Sequence, residues 1–231
     1  MLFLGLDPYY LIASVLGIVI SMIASARVKM AFNKYAKVGV RSGMTGAEAA
    51  MAVARAGGAN DVTVERHQGF LSDHYDPRTK TLRLSPEVHD GRSISSIAVA
   101  AHEAGHSIQD VAEYAPLGFR SALVPMANIG NRLWIIPIII GAVFAGESGQ
   151  TWMMVGILMF SAVVLFQLVT LPVEFNASTR AKAVLAQTGI VSTQEEAIGV
   201  NKVLDAAAMT YVAAALASIM QLIALILRSR E

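Results

Sequence analysis

Four segments of the chain are almost wholly apolar, and their lengths predict membrane-spanning helices. A helix of about 20 residues crosses about 30 Å of hydrocarbon, and three of the segments hold 17 to 21 residues. The second holds only 13 residues and contains Pro137, so a buried helix of a soluble protein is the alternative for it. Because a turn-forming sequence at 146–150 separates it from the third, we expect an antiparallel hairpin. The segments are Tyr9–Ala26, Leu133–Ala145, Thr151–Leu171 and Tyr211–Leu227.

The long segment after the first apolar run predicts a small α+β structure. Thr45 to Glu48 form a capping-box pattern that opens an alanine-rich helix, and Gly57-Gly58 are expected to end it. One strand is predicted before the turn-forming sequence at 76–79 and a second one after it, and together they form a β-hairpin over residues 62–84. The predicted strands are Val62–Leu71 and Thr79–Leu84.

The predicted hairpin allows more than one role. It either offers an edge strand to an extended substrate or shields a neighbouring site. Asp73, His74 and Asp76 form either a second metal site or, as we prefer, a turn with a solvated histidine.

Basic residues are distributed unevenly around the apolar runs, which predicts the orientation. Five lie between residues 27 and 41, and the turn at 146–150 has none. The positive-inside rule therefore places the segments after the first and third runs in the cytoplasm and both termini outside. The predicted segments are a transmembrane helix (1–26), a cytoplasmic region (27–130), a transmembrane hairpin (131–171), cytoplasmic helices (172–210), and a fourth transmembrane helix with the C-terminus (211–231).

The composition supports a membrane protein and excludes several kinds of site and partner. Hydrophobic residues make up 55% of the chain and charged residues 15%, whereas average soluble domains hold about 45–50% and about 25%. The absence of cysteine excludes disulfides, iron–sulfur clusters and thiolate ligands or nucleophiles. A net charge of +1, without a basic stripe, argues against a nucleic-acid partner.

The sharpest chemical signal is an HExxH pattern at residues 102–106. It lies in a predicted helix over residues 93–111, where the apolar positions recur with helical period. His102 and His106 are four residues apart and therefore lie on one face of that helix. Two imidazoles placed in this way bind one zinc ion, and Glu103 reaches a water on that ion. The alternative is a polar helix face with two solvated histidines.

A catalytic zinc site needs a third protein ligand and one open position. The other three histidines all lie upstream of the motif. Glu174 directly follows the third apolar run and is the only acid between Glu147 and Glu195; the predicted topology places it on the same side as the motif. An interfacial glutamate at a helix start, favoured by the helix dipole, is the alternative. The predicted topology alone supports the two interpretations of Glu174 equally well.

Three blocks of the sequence resemble the neutral zinc membrane metallopeptidases of the YugP-like group. The resemblance extends over nearly the whole chain and includes the layout of four spans. It implies that one zinc ion is held by His102, His106 and Glu174, and that Glu103 is the general base. The blocks are Ala98–His106, Pro172–Ser178 with Arg180, and Leu71–Arg78.

This group is similar to the gluzincin membrane proteases, which carry an aspartate four residues after the glutamate ligand. That position holds Ser178 in this chain, and a serine hydroxyl can hydrogen-bond a zinc-bound histidine. Arg180 then either stabilises an oxyanion or forms a structural ion pair, and we favour the ion pair.

The sequence therefore predicts a mainly α integral membrane protein with four transmembrane helices and a small zincin-like α+β cytoplasmic part containing a β-hairpin. The predicted function is a zinc-dependent endopeptidase at the cytoplasmic face of a bacterial inner membrane, acting on peptides or proteins, membrane proteins included. The alternative is a non-catalytic membrane scaffold or chaperone-like adaptor with a structural zinc. Besides the lipid bilayer, a homo-oligomer or a regulatory membrane partner is compatible with the sequence.

Overall fold

The computed structural model describes residues 8–69, 72–144 and 146–230. Four predicted boundaries lie outside these residues: the start of the segment 1–26, the strand end at Leu71, the end of the second apolar run at Ala145 and the end of the segment 211–231. The helices are α1 (Pro8–Tyr35), α2 (Gly46–Ala56), α3 (Pro86–His89), α4 (Ile94–Val111), α5 (Ala115–Leu133), α6 (Ile135–Val143), α7 (Glu147–Gln187) and α8 (Gln194–Arg228), and the strands are β1 (Thr63–Arg66), β2 (His74–Asp76) and β3 (Thr81–Leu84).

Four helical segments of the described chain are long and apolar enough to cross a membrane. They are α1, α5 together with α6, α7, and α8. Large apolar side chains on these helices are exposed, for example Ile18 on α1 and Leu158 on α7. Such continuous apolar surfaces are typical of helices that face lipid. The prediction of a mainly α membrane protein with four transmembrane helices is confirmed.

The spanning helices extend beyond the apolar runs that predicted them. α7 continues through Pro172 and ends before Gly189, whose φ of +70° suits a helix C-terminus. The second spanning segment begins at Ala115, well before Leu133. An apolar run marks where side chains suit hydrocarbon, whereas backbone hydrogen bonding continues a helix until a cap satisfies its terminal groups.

The predicted hairpin over residues 62–84 is only partly correct. β3 is the central strand, pairing antiparallel with β2 and parallel with β1, so the hairpin is β2–β3. Its turn is closed by the Arg78 amide, which donates to Asp76 Oδ1 at 3.0 Å. The first strand ends at Arg66, and Gly69 follows with a φ of +121°, an angle that glycine adopts readily.

α4 is a buried helix within the compact unit formed by Ser25–Gly118 and Pro172–Met209. The Ser93 hydroxyl caps its first turn, and the predicted capping box of Thr45 and Glu48 is present at α2. Helix α4 therefore has a fixed start and a rigid setting, which positions the side chains on its face. The surrounding core includes Val53 of α2, Leu82 of β3, Leu185 of α7 and Leu204 of α8.

The other compact unit contains the described parts of Met1–Ala24, Phe119–Leu171 and Thr210–Glu231. Within it, a Cβ added to Gly141 would lie only 2.7 Å from the carbonyl oxygen of Gly149. Glycine at this position therefore lets the backbones of α6 and α7 approach closely, as small residues do between membrane helices.

Candidate metal centre

α4 presents His102 and His106 side by side. Their rings are 4.8 Å apart, centre to centre, with an angle of 78° between their planes. Four-residue spacing on a helix places the two side chains on one face, and both are largely buried. The predicted helix over residues 93–111 is confirmed, and the alternative of two solvated histidines does not apply.

Glu174 reaches the two histidines from α7. Its Oε2 atom lies 3.1 Å from His102 Nε2 and 3.7 Å from His106 Nε2, and its side chain is only 2% exposed. The three ligand atoms that these residues offer all lie within 4.8 Å of one another. Because α7 begins at Glu147, Glu174 is in mid-helix, and the helix-start interpretation of this residue is wrong.

A close contact between α4 and α7 brings the glutamate to the histidines. A Cβ added to Gly105 would lie 2.4 Å from the carbonyl oxygen of Ala177, far below any ordinary contact distance. The two backbones can therefore approach this closely only with glycine at position 105, which lies inside the HExxH pattern. Glu174 stands one turn before Ala177 on α7, and so the contact sets its distance from α4.

Glu103 and Ser178 complete the surroundings of His102. Glu103 is 8% exposed and follows His102 on α4. Ser178 Oγ lies 3.0 Å from His102 Nδ1, while Nε2 of the same ring faces Glu174. Ser178 is four residues after Glu174 and therefore on the same face of α7. The structure thus brings the hydroxyl to the ring nitrogen that faces away from the ligand cluster.

Arg180 does not form the ion pair that we favoured from the sequence. Among the described residues no carboxylate lies within ion-pair distance of its guanidinium group. Instead its Nε donates to Asn176 Oδ1 at 2.7 Å, and the guanidinium carbon lies 5.8 Å from the centre of the Tyr114 ring. The reason is positional: position 180 lies one turn after Asn176 on α7, where an amide oxygen is the available acceptor.

Gln109 is a site residue that the sequence analysis missed. Its side chain is fully buried, and its Oε1 atom lies 3.0 Å from His106 Nδ1. Its Nε2 atom donates to Val173 O at 2.8 Å and to Asn176 Oδ1 at 3.0 Å. The available signal was a polar amide three residues after His106, and so on the same face of the helix as that histidine.

The acidic residues of the hairpin serve structural purposes. Asp73 accepts hydrogen bonds from the amide and hydroxyl of Ser85, and its burial raises the pKa of its carboxyl group. The Arg83 guanidinium and the Arg78 amide lower the pKa of Asp76 to about 2. His74 is exposed, and its Nδ1 lies 2.8 Å from Ser72 O. These contacts favour the turn interpretation over a second metal site.

The donor set at the centre fits a zinc ion. Two imidazole nitrogens and one carboxylate oxygen are the three protein ligands of one common class of catalytic zinc site, in which a fourth position stays open for water. Within the described chain the cluster consists of His102, His106 and Glu174. These three residues could therefore hold a metal ion.

Comparison with known proteins agrees with the geometry. Residues 10–230 match a family described as "Putative neutral zinc metallopeptidase". The chain is 44% identical over 215 residues to the "Putative membrane protease YugP" of Bacillus subtilis (strain 168), and the match covers 93% of each protein. No solved structure matches the chain. With the family match extending over nearly its whole length, this chain belongs to the neutral zinc metallopeptidase family.

Proposed function

We propose that this protein is an integral-membrane endopeptidase that uses one zinc ion to hydrolyse peptide bonds. The observation that carries the proposal is the convergence of His102 and His106 of α4 with the buried Glu174 of α7. The relative from Bacillus subtilis, described as a membrane protease, supports the same activity. The substrate class is peptides or proteins, including proteins anchored in the same membrane.

The proposed roles follow from the chemistry of each side chain. His102, His106 and Glu174 would hold the zinc ion, which when bound would supply a Lewis acid for the peptide carbonyl and a coordinated water with a pKa of about 7. Glu103 accepts a proton from the attacking water and passes it to the leaving amine. Ser178 holds the ring of His102 through Nδ1. We assign Arg180 a structural role rather than oxyanion stabilisation, since its guanidinium is engaged by Asn176 and Tyr114.

The number of ligands favours an enzyme over a scaffold. Structural zinc sites are closed by four protein ligands, whereas catalytic sites have three. The cluster found among the described residues has three members. A carboxylate directly beside the first histidine also has no purpose in a structural site, whereas a hydrolase needs a general base.

Substitution of Glu103 by glutamine tests the proposal. The purified Glu103→Gln protein should retain one equivalent of zinc, measured by elemental analysis, and should lose cleavage of an unfolded probe protein such as casein. The loss should reach at least about 100-fold, the contribution typical of general acid–base catalysis. Glu113→Gln is the matched control, because Glu113 is an exposed glutamate just after α4.

Two results would contradict the proposal. Cleavage by the Glu103→Gln protein at the control rate would show that Glu103 is not the base. A wild-type protein that holds zinc but cleaves no polypeptide, in detergent or in liposomes, would favour the scaffold with a structural zinc.

A further inference from the structure

Gln109 connects the two helices that carry the ligand cluster. It belongs to α4, three residues after His106, and two of its hydrogen-bond acceptors belong to α7: Val173 O at 2.8 Å and Asn176 Oδ1 at 3.0 Å. Val173 directly precedes Glu174. The amide of Gln109 is fully buried, and buried polar groups of this kind need partners for both their oxygen and their nitrogen.

The orientation of the Gln109 amide follows from its partners. The backbone carbonyl of Val173 can only accept a hydrogen bond, so the NH2 group of the amide must face it. The amide oxygen is therefore left facing His106 Nδ1 at 3.0 Å. Because an amide oxygen can only accept, His106 Nδ1 must carry a proton.

A proton on Nδ1 determines which nitrogen of His106 can bind a metal. In a neutral imidazole with a protonated Nδ1, the lone pair is on Nε2. That nitrogen faces Glu174 Oε2 at 3.7 Å and is the one that belongs to the ligand cluster. Ser178 cannot select a tautomer of His102 in the same way, since a hydroxyl both donates and accepts.

Asn176 and Arg180 fix the far side of this arrangement. Asn176 Oδ1 accepts from Gln109 Nε2 at 3.0 Å and from Arg180 Nε at 2.7 Å. The guanidinium group of Arg180 in turn lies over the Tyr114 ring. The hydrogen bonds thus form a continuous path from His106 through Gln109 and Asn176 to Arg180.

We propose that Gln109 is a positioning residue that holds His106 in the Nδ1-protonated tautomer and so presents Nε2 to the metal. The inference rests on the zinc site of the proposed function, but it concerns metal affinity and not proteolysis. Partners of this kind beyond the direct ligands typically change metal affinity by about 10- to 100-fold.

The test measures zinc affinity by competition with a chelator, on purified protein that elutes as a folded species. Gln109→Met removes the acceptor while keeping the length of the side chain, and should weaken zinc binding by about 10- to 100-fold. Gln109→Glu keeps an oxygen acceptor for His106 Nδ1 and should bind zinc within a few-fold of wild type or more tightly. Ser107→Ala is the matched control, because Ser107 is fully buried on α4 and its hydroxyl donates to Ala104 O.

A merely structural role for Gln109 predicts a different result. If the amide serves only to join α4 to α7, Gln109→Glu loses the donor to Val173 O and should bind zinc as weakly as Gln109→Met. That result, or zinc affinity of Gln109→Met equal to the Ser107→Ala control, would overturn the proposal.

A second measurement needs no variant of Gln109. In the zinc-loaded wild type, imidazole nitrogen resonances should show His106 protonated at Nδ1, with the assignment taken from a His106→Ala protein. A proton on Nε2, or a wild type that binds no zinc, would refute the role of Gln109. A protein that binds zinc with the expected tautomer but cleaves nothing would refute only the proposed endopeptidase.

Discussion

Single residues at the centre are placed where their charge would be costly without partners. Glu174 is 2% exposed and lies against two imidazoles. A buried carboxylate loses much of its hydration, so it must be paired, hydrogen-bonded or bound to a metal. The two histidines meet this need, and a zinc ion would meet it more completely because it adds two positive charges to the cluster.

Substitution of Glu174 by glutamine should weaken zinc binding by more than about 10-fold, since the loss of a direct ligand should exceed that of an outer partner. The amide keeps the size of the side chain but removes the negative charge. Chelator competition on the purified protein measures the effect. Glu195→Gln, an exposed glutamate in the first turn of α8, should behave as wild type, and unchanged zinc affinity of Glu174→Gln would remove this residue from the ligand set.

At the scale of elements, the site depends on how closely α4 and α7 approach. Gly105 lies directly against the Ala177 carbonyl, and hydrogen bonds from Gln109 join the same two helices. The small sheet contributes Leu82 and Leu84 of β3 to the same core. Helix packing therefore determines the ligand geometry.

Gly105→Ala should destabilise the protein although alanine is the better helix former. The added Cβ would be 2.4 Å from Ala177 O, and such overpacking typically costs about 1–3 kcal/mol. The midpoint of thermal unfolding, compared at one detergent and zinc concentration, measures this. Gly118→Ala in α5 is the control: its Cβ would meet nothing within 4 Å, so its stability should be unchanged or raised. Equal midpoints for the two variants would show that the contact does not limit the approach of the helices.

The β2–β3 hairpin should loosen in acid. The Arg83 guanidinium and the Arg78 amide depress the pKa of Asp76 from 3.8 to about 2. A carboxyl with a depressed pKa in the folded state stabilises the fold above its unfolded pKa, and this stabilisation is lost as the pH falls from about 4 to about 2. Hydrogen exchange of the hairpin amides, corrected for intrinsic rates, should therefore quicken over this range. In Asp76→Asn it should already be faster at pH 5; identical exchange in both proteins would show that the pair contributes nothing.

At the scale of the whole molecule, the four spanning helices require a bilayer, and the proposed orientation follows from the basic residues. Five of them lie between residues 27 and 41, in the last turns of α1 and just after it, and the turn at 146–150 has none. From the positive-inside rule we propose that the ligand cluster lies on the cytoplasmic side and both termini on the other.

The absence of cysteine makes this orientation directly measurable. Single cysteines introduced by Ser148→Cys and Glu113→Cys, both at exposed positions, would be labelled in intact cells with a maleimide that cannot cross the membrane. Ser148→Cys should react from outside, and Glu113→Cys only after the membrane is opened. The reverse pattern would place the ligand cluster on the outer face.

Much of this protein was predictable from local sequence. Length and apolarity indicated the spanning helices, and four-residue spacing placed His102 and His106 on one face, because both depend on a few neighbouring residues. The parallel pairing of β1 was not predictable, since strand partners are chosen by packing across the fold. The predicted ion pair of Arg180 was wrong, because the hydrogen-bond partner of Arg180 depends on which acceptor α7 presents.

The sequence by itself determined the class of membrane protein, the motif helix and the types of ligand available. Only the tertiary structure decided that α7 continues through Pro172 and carries Glu174 to the histidines of α4. It also revealed Gln109 behind His106. The physical reason is that these contacts join residues more than 60 positions apart, and their distance is set by the packing of two helices, which no local pattern encodes.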